Sequence, residues 1–270
     1  MPQTTKPKKP VYLYVSPRLL CIMLALAFLL GVGLTLLVMP SGSSDAPEST
    51  APPETTEPPT EAPTEPPYQG TLPDLSDPLL RLVNRSNPLS ADYAPALTAL
   101  DNGMFVDTRC YDDLMAMLHA GAEATTTVDG EEVPLEFVIC SAYRTYDEQE
   151  KLFNNDVQAL LDIGKTREEA IEEVQKLTMP AGCSEHQSGL AVDIVSASNQ
   201  NLDETQGQTA EQQWLQAHCA EYGFVQRYPV GKEAVTDIDF ESWHYRYVGR
   251  EAAQFMVQNN LTLEELWALQ

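Results

Sequence analysis

Along residues 72–270 the apolar positions alternate between two spacings, and the changes of spacing outline the elements. Tyr111, Leu114, Met115 and Leu118 recur at i, i+3, i+4 and i+7 and predict an amphipathic helix with His119 at its end. Leu135 to Cys140 is a short apolar, β-branched run, so it predicts a strand leading into Ser141-Ala142-Tyr143-Arg144. Thr145-x-x-Glu148 is a capping box opening a helix through Leu161, closed by Gly164. A second box, Thr166-x-x-Glu169, opens a helix with Ala170, Ile171, Val174 and Leu177 on one face, ended by Pro180. Leu190 to Val195 reads as a buried strand broken by one charge, Asp193. Thr209-x-x-Gln212 starts a helix carrying Trp214, Leu215 and Tyr222, stopped by Gly223; His218 falls on its apolar side as a core or partner-bonded histidine. Phe224 to Tyr228 and Phe240 to Val248 are the last strands. In the second, His244, Arg246 and Val248 share one face while Trp243, Tyr245 and Tyr247 form a core face. Two helices follow, from about Arg250 and from the Thr262-x-x-Glu265 box. Helices grouped around short strands predict an α+β fold with a small antiparallel sheet.

The first seventy residues follow neither spacing. Residues 1–18 form a basic tail with Lys6, Lys8, Lys9 and Arg18, and Leu19 to Met39 then runs 21 residues without a charge. At 1.5 Å per residue such a run spans about 30 Å of hydrocarbon, so residues 19–39 are expected to be a transmembrane anchor. The basic groups all precede it, which places the N-terminus in the cytoplasm and the rest of the chain outside. Val38-Met39-Pro40 is a poor cleavage site, favouring an uncleaved anchor over a signal peptide. Residues 40–71, rich in Pro, Thr and Glu, are expected to be an extended, disordered stalk, and 72–270 a single globular domain working as a monomer.

Sixteen basic residues stand against forty acidic ones, a net charge of −24, and four of the sixteen lie in the first forty positions. The remainder is therefore strongly acidic, which argues against nucleic acid and against docking on an anionic membrane surface. Beyond Cys21, the chain holds Cys110, Cys140, Cys183 and Cys219, with no CxxC spacing. An even count outside the cytoplasm suggests disulfides, with Cys110–Cys140 and Cys183–Cys219 as the expected pairs and free buried thiols as the alternative.

The chemistry concentrates in two stretches. In Ser184-Glu185-His186-Gln187-Ser188-Gly189-Leu190-Ala191-Val192-Asp193-Ile194, a carboxylate inside a buried strand must be paired or coordinated, and His186 lies seven residues before it. Alone, that spacing fits a surface histidine and a salt-bridged aspartate equally well. Glu241-Ser242-Trp243-His244 adds a second strand-borne histidine in a chain with only four. His186, Asp193 and His244 would give Zn²⁺ three ligands and leave a fourth position open, as catalytic rather than structural sites do; Glu241 is then placed as base on a water there.

Together with Ser141-Ala142-Tyr143-Arg144-Thr145 and Tyr222-Gly223-Phe224-Val225-Gln226-Arg227-Tyr228-Pro229, these stretches resemble the VanY-type D-alanyl-D-alanine carboxypeptidases of the lysostaphin/D-Ala-D-Ala-carboxypeptidase/hedgehog-like zinc peptidases. The resemblance covers roughly Leu82 onward. It implies zinc at His186, Asp193 and His244, a catalytic base at Glu241, and substrate contacts from Arg144, Gln149 and Ser184. It also implies peptidoglycan stem peptides as substrate, cleaved at the terminal D-alanine. An L,D-carboxypeptidase or dipeptidase would use the same parts. A non-catalytic wall-binding module would not need Glu241. Members more often carry Pro where Ser242 stands and Gly where Asp237 stands, departures that touch the loop before the base.

Overall fold

The computed structural model describes residues 68–269. The basic tail, the apolar run 19–39 and nearly all of the expected stalk lie outside them. Among the described residues no helix is long and apolar enough to cross a membrane. Gln69 is already bonded to the domain, its N–H donating to Asn259 Oδ1 at 2.8 Å.

The domain is α+β. Strands β5 (Phe137–Ser141), β6 (Ala191–Ser196), β8 (Glu241–Tyr247) and β7 (Phe224–Tyr228) form one antiparallel sheet in that spatial order. Two further hairpins, β1 (Leu97–Ala99) with β2 (Phe105–Asp107) and β3 (Thr125–Val128) with β4 (Glu131–Pro134), stand apart from it. The hydrophobic period announces neither, because their strands are only three or four residues long and all but β2 are mostly exposed.

The helices start where the capping boxes put them. In α2 (Tyr146–Asp162) and α3 (Arg167–Val174) both halves of each box are made, with Thr145 paired to Glu148 and Thr166 to Glu169. Helix α1 (Thr108–Ala122) buries Cys110, Leu114 and Met117, and α4 (Ala210–His218) is capped by Thr209. A four-residue helix α5 (Glu233–Thr236) precedes β8; α6 (Arg250–Gln258) and α7 (Leu263–Trp267) close the domain. Helix α3 stops at Val174, short of the end that Pro180 suggests. The residues after it turn instead, with Leu177 and Thr178 both donating backbone bonds to the Val174 carbonyl.

The pleat divides the sheet as the alternation of β8 predicts. Val192, Ile194, Phe224, Tyr245 and Tyr247 pack with α1 and Leu215 of α4 in the main core. On the opposite face the register sets Asp193 directly across from His244 and Ala191 across from Arg246. Val225 and Val248 pack with α6, α7 and Leu80 in a second core. The sheet thus keeps one apolar face, while the other carries charged side chains that must find partners within the protein.

The four cysteines of the domain are not joined in disulfides, so neither expected pair forms. Cys110 is buried in the main core with its Sγ 3.1 Å from the Asp107 carbonyl, whereas the Cys140 thiol faces the Asp193 carbonyl at 3.5 Å. Cys219 is buried in the main core and Cys183 packs beside Met179, Tyr228 and Ile238, so the members of the second expected pair sit in different clusters. Burial pushes the Cys110 and Cys219 thiols up to about 12, leaving both inert. His119 is exposed at its helix end, as expected. His218 is only half-buried: it stacks on Trp214 and bonds to Glu221 at 2.8 Å.

Candidate metal centre

Strand pairing assembles the site. Residues 184–189 form a single turn of 3₁₀ helix, capped by the Ser184 hydroxyl and ended by Gly189 in the left-handed region at φ 72°. This turn carries His186 to the edge of the charged face just before β6 begins. The register then supplies the rest. Asp193 lies opposite His244, and Glu241 at the start of β8 lies opposite Tyr228.

The His186 Nε2 is 3.3 Å from Asp193 Oδ2, and His244 Nδ1 is 3.1 Å from Asp193 Oδ1. The two imidazoles meet edge to face, 4.9 Å apart. One donor atom from each of the three residues falls within 4.8 Å of the others, and exposures of 2, 1 and 4% shield all three from water. Tetrahedral zinc with bonds of about 2.0–2.1 Å requires donor separations near 3.3 Å. The two histidine–aspartate spacings match, and two imidazoles with one carboxylate are a donor set suited to zinc.

His186 is committed through its other nitrogen, whereas the other nitrogen of His244 faces a carboxylate without a hydrogen bond. His186 Nδ1 is 2.7 Å from the Ala142 carbonyl, so it carries the proton and leaves Nε2 as a lone pair. His244 presents Nδ1 to Asp193, and its Nε2 lies 3.6 Å from Glu185 Oε2. Without metal the two rings titrate in opposite directions. Burial and the nearby Arg144 pull His186 down to about 4. Burial also opposes charge on His244, yet the neighbouring carboxylates of Asp193 and Glu185 lift it to about 9.

A small pocket opens at this point, and six of the seven residues singled out in the sequence line it: Arg144, Gln149, Ser184, His186, Glu241 and His244. Asp193 sits beneath them. Glu241 Oε2 is 3.6 Å from His244 Nδ1, at the rim of the ligand cluster. Arg144 is fixed at the junction of β5 and α2 by its N–H donating to the His186 carbonyl at 3.2 Å. Gln149 is 1% exposed; its Nε2 donates to the Met179 carbonyl at 2.6 Å and its Oε1 has no hydrogen-bond partner in the protein.

Several site residues were not singled out. Tyr228, Met179 and Ile238 wall the pocket, and burial together with Glu185 holds the Tyr228 phenol protonated. Glu185 is buried between His244 and two buried arginines, Arg227 and Arg246. Arg246 therefore turns inward to an ion pair instead of running along the sheet. A glutamate beside a ligand histidine and an arginine in each of the last two strands are the signals that could have revealed this cluster. In the loop before the base, Asp237 adopts φ 64° at the end of α5, a left-handed position that aspartate tolerates where other side chains do so poorly. Ser242 is fully buried on β8.

An α+β domain holding zinc between two histidines and an aspartate, with a carboxylate and an arginine in the adjoining pocket, has the construction of a zinc metallopeptidase. The VanY model, described as D-alanyl-D-alanine carboxypeptidase, matches residues 106–250, and the chain belongs to that family. The putative carboxypeptidase YodJ of Bacillus subtilis (strain 168) is 37% identical over 189 residues, 69% of this chain. The chain spans 66% of that relative's length, just under two thirds. A mutant of the vancomycin-resistance D,D-pentapeptidase VanY, from a VanB-type cassette and in complex with Zn(II), superposes with a TM-score of 0.59 at 34% identity, over 70% of this chain and 98% of that one. The LD-carboxypeptidase LdcB gives the same TM-score, 0.59, and identity, 34%, over 70% of this chain and 86% of its own.

Proposed function

We propose that the protein is a membrane-anchored, extracytoplasmic zinc D,D-carboxypeptidase that removes the C-terminal D-alanine from peptidoglycan stem peptides. The observation that carries this reading is the convergence of Glu241 and Arg144 on one pocket with His186 and His244. His186, Asp193 and His244 would hold zinc, which would supply Lewis acidity for the scissile carbonyl and for a water molecule. Glu241, at the rim of the ligand cluster, takes the proton from the attacking water and delivers it to the leaving amine. Arg144 offers a planar fork of donors, suited to holding a terminal carboxylate in two parallel hydrogen bonds. Gln149 presents an acceptor with no partner in the protein, and Ser184 a hydroxyl, to the rest of the residue being released. The acidic ectodomain and the apolar run at 19–39 support a location outside the membrane, with residues 40–71 giving reach into the wall.

A second reading, L,D-carboxypeptidase action on tetrapeptides, is favoured by the equal likeness to LdcB. The two readings differ in which stem peptide is shortened. Mass spectrometry of the zinc-loaded protein incubated with pentapeptide and tetrapeptide stems separates them; loss of one alanine from the pentapeptide alone is the expected result. Arg144→Ala removes a charge-assisted contact worth roughly 1.5–3 kcal/mol, so kcat/KM should fall by about 10- to 150-fold with zinc retained. Amidating the substrate's C-terminus should damage turnover by the natural protein far more than by this variant. Equal cleavage of amidated and free-acid peptides by the natural protein would make it an endopeptidase and overturn the reading.

A further inference from the structure

Behind the ligand cluster lies a chain of buried charges that the zinc reading does not by itself require. Arg227 and Arg246 are 1 and 0% exposed, and each must be neutralised inside the protein. Both choose the same oxygen: Arg227 Nε donates to Glu185 Oε1 at 2.9 Å and Arg246 Nη1 to Oε1 at 2.7 Å. Glu185 Oε2 receives no donor from either and faces His244 Nε2 at 3.6 Å. The arrangement is asymmetric, with one carboxylate oxygen clamped by arginines and the other turned to the back of a metal ligand.

The clamp is itself held by two segments outside residues 106–250. Arg227 extends its two remaining nitrogens to Glu264 in α7, at 2.8 and 2.6 Å. Arg246 Nη2 donates to the Leu79 and Arg81 carbonyls, both at 2.9 Å. The family match ends at residue 250 and begins at 106, so Glu264 and the 79–81 segment both lie beyond it. Two buried arginines thus converge on Oε1 and pair the Glu185 carboxylate inside the protein.

We propose that Glu185 is the positioning residue of the metal centre, fixing His244 with its proton on Nε2 and its Nδ1 lone pair toward zinc, and that Glu264 of the C-terminal helix completes it through Arg227. The inference rests on His186, Asp193 and His244 being the zinc ligands. A histidine that ligates through Nδ1 must carry its proton on Nε2, and an anion facing Nε2 selects that tautomer and fixes the plane of the ring. Glu264, a largely buried residue of the C-terminal helix, thereby contributes to metal affinity without contacting the site.

The test uses the full-length protein in detergent, with zinc affinity measured by chelator competition and ligand geometry by the absorption spectrum of the Co(II)-substituted form. Glu185→Gln should weaken zinc binding by about 10- to 100-fold and alter the cobalt spectrum. Glu264→Gln should do so by roughly tenfold or less, its helix remaining packed through Leu263 and Leu266. A purely structural role would lower the melting temperature and leave affinity and spectrum of the folded protein unchanged, which overturns the proposal. If Glu185→Gln does not fold, Glu264→Gln decides alone, and natural affinity with a natural spectrum is again the refuting result. Natural protein that takes up no zinc would instead refute the metal reading itself.

Discussion

The two ligand histidines present different ring nitrogens to the same point, and that difference follows from where each sits in the chain. His186 leaves a turn before β6 and bonds backward to the Ala142 carbonyl; His244 sits inside β8, with Glu185 behind it. Glu241, three residues earlier on β8, approaches the same Nδ1 at 3.6 Å. It touches the cluster from the open side, so its removal should spare the metal. We expect Glu241→Ala to keep stoichiometric zinc by elemental analysis while kcat falls by about 10²–10⁴-fold. Near-natural turnover in the zinc-loaded variant would remove Glu241 from the reaction. At this scale the sequence was most informative where a polar residue interrupts an apolar strand, as Asp193 and His244 do, because burial forces such a group to have a partner. Glu185 and Arg227 were harder to read. Their partnership spans 42 positions, and each has a surface role available until the fold brings the two together.

Register converts those residues into a site. A slip of one position between β6 and β8 would move either Asp193 or His244 to the opposite face, so whatever fixes the entry to β6 fixes the metal centre. Gly189 is that point. Its φ of 72° ends the His186 turn, its carbonyl accepts from Asp107 N–H at 2.8 Å, and a Cβ there would lie 2.9 Å from the Asp107 nitrogen. Gly189→Ala should therefore cost about 1–3 kcal/mol, lowering Tm by roughly 2–4 °C per kcal/mol, and should loosen zinc retention by displacing His186. A variant melting with the natural protein and holding zinc equally well would show that β6 is anchored elsewhere. The helices were legible because their start signals are local: each Thr-x-x-Glu box satisfies its own backbone N–H groups. The β3–β4 hairpin was marked only by its turn, Asp129-Gly130, both at positive φ. Its strands alternate no apolar face, since they cover no core. The cysteine pairing failed for a related reason. Sequence count carries no distance, and each thiol is occupied by its own local packing.

The whole molecule, on the reading proposed above, is a wall enzyme held at a membrane, and this is the level where sequence alone carries the argument. The bilayer's thickness sets the expectation of an anchor: 21 uncharged residues from Leu19 to Met39 suffice, as a helix, to cross about 30 Å, and four basic groups precede them. The expected consequence is that the full chain sediments with membranes and resists alkaline carbonate, being released only by detergent. Leu26 and Leu29 lie near the middle of the run, and an arginine at the helix centre costs about 2.5–3.5 kcal/mol. Leu26→Arg with Leu29→Arg should therefore move much of the protein to the carbonate-soluble fraction. The folded domain is not touched by these changes, so zinc binding and cleavage of short soluble stem peptides should persist, while cleavage within intact wall attached to cells should fall. Natural protein recovered in the soluble fraction would refute the anchor and, with it, the need for a stalk, yet leave the chemistry of His186, Asp193, His244 and Glu241 as argued. If instead the double variant lost soluble-peptide activity in step with membrane attachment, the segment before residue 68 would have a role in the site itself.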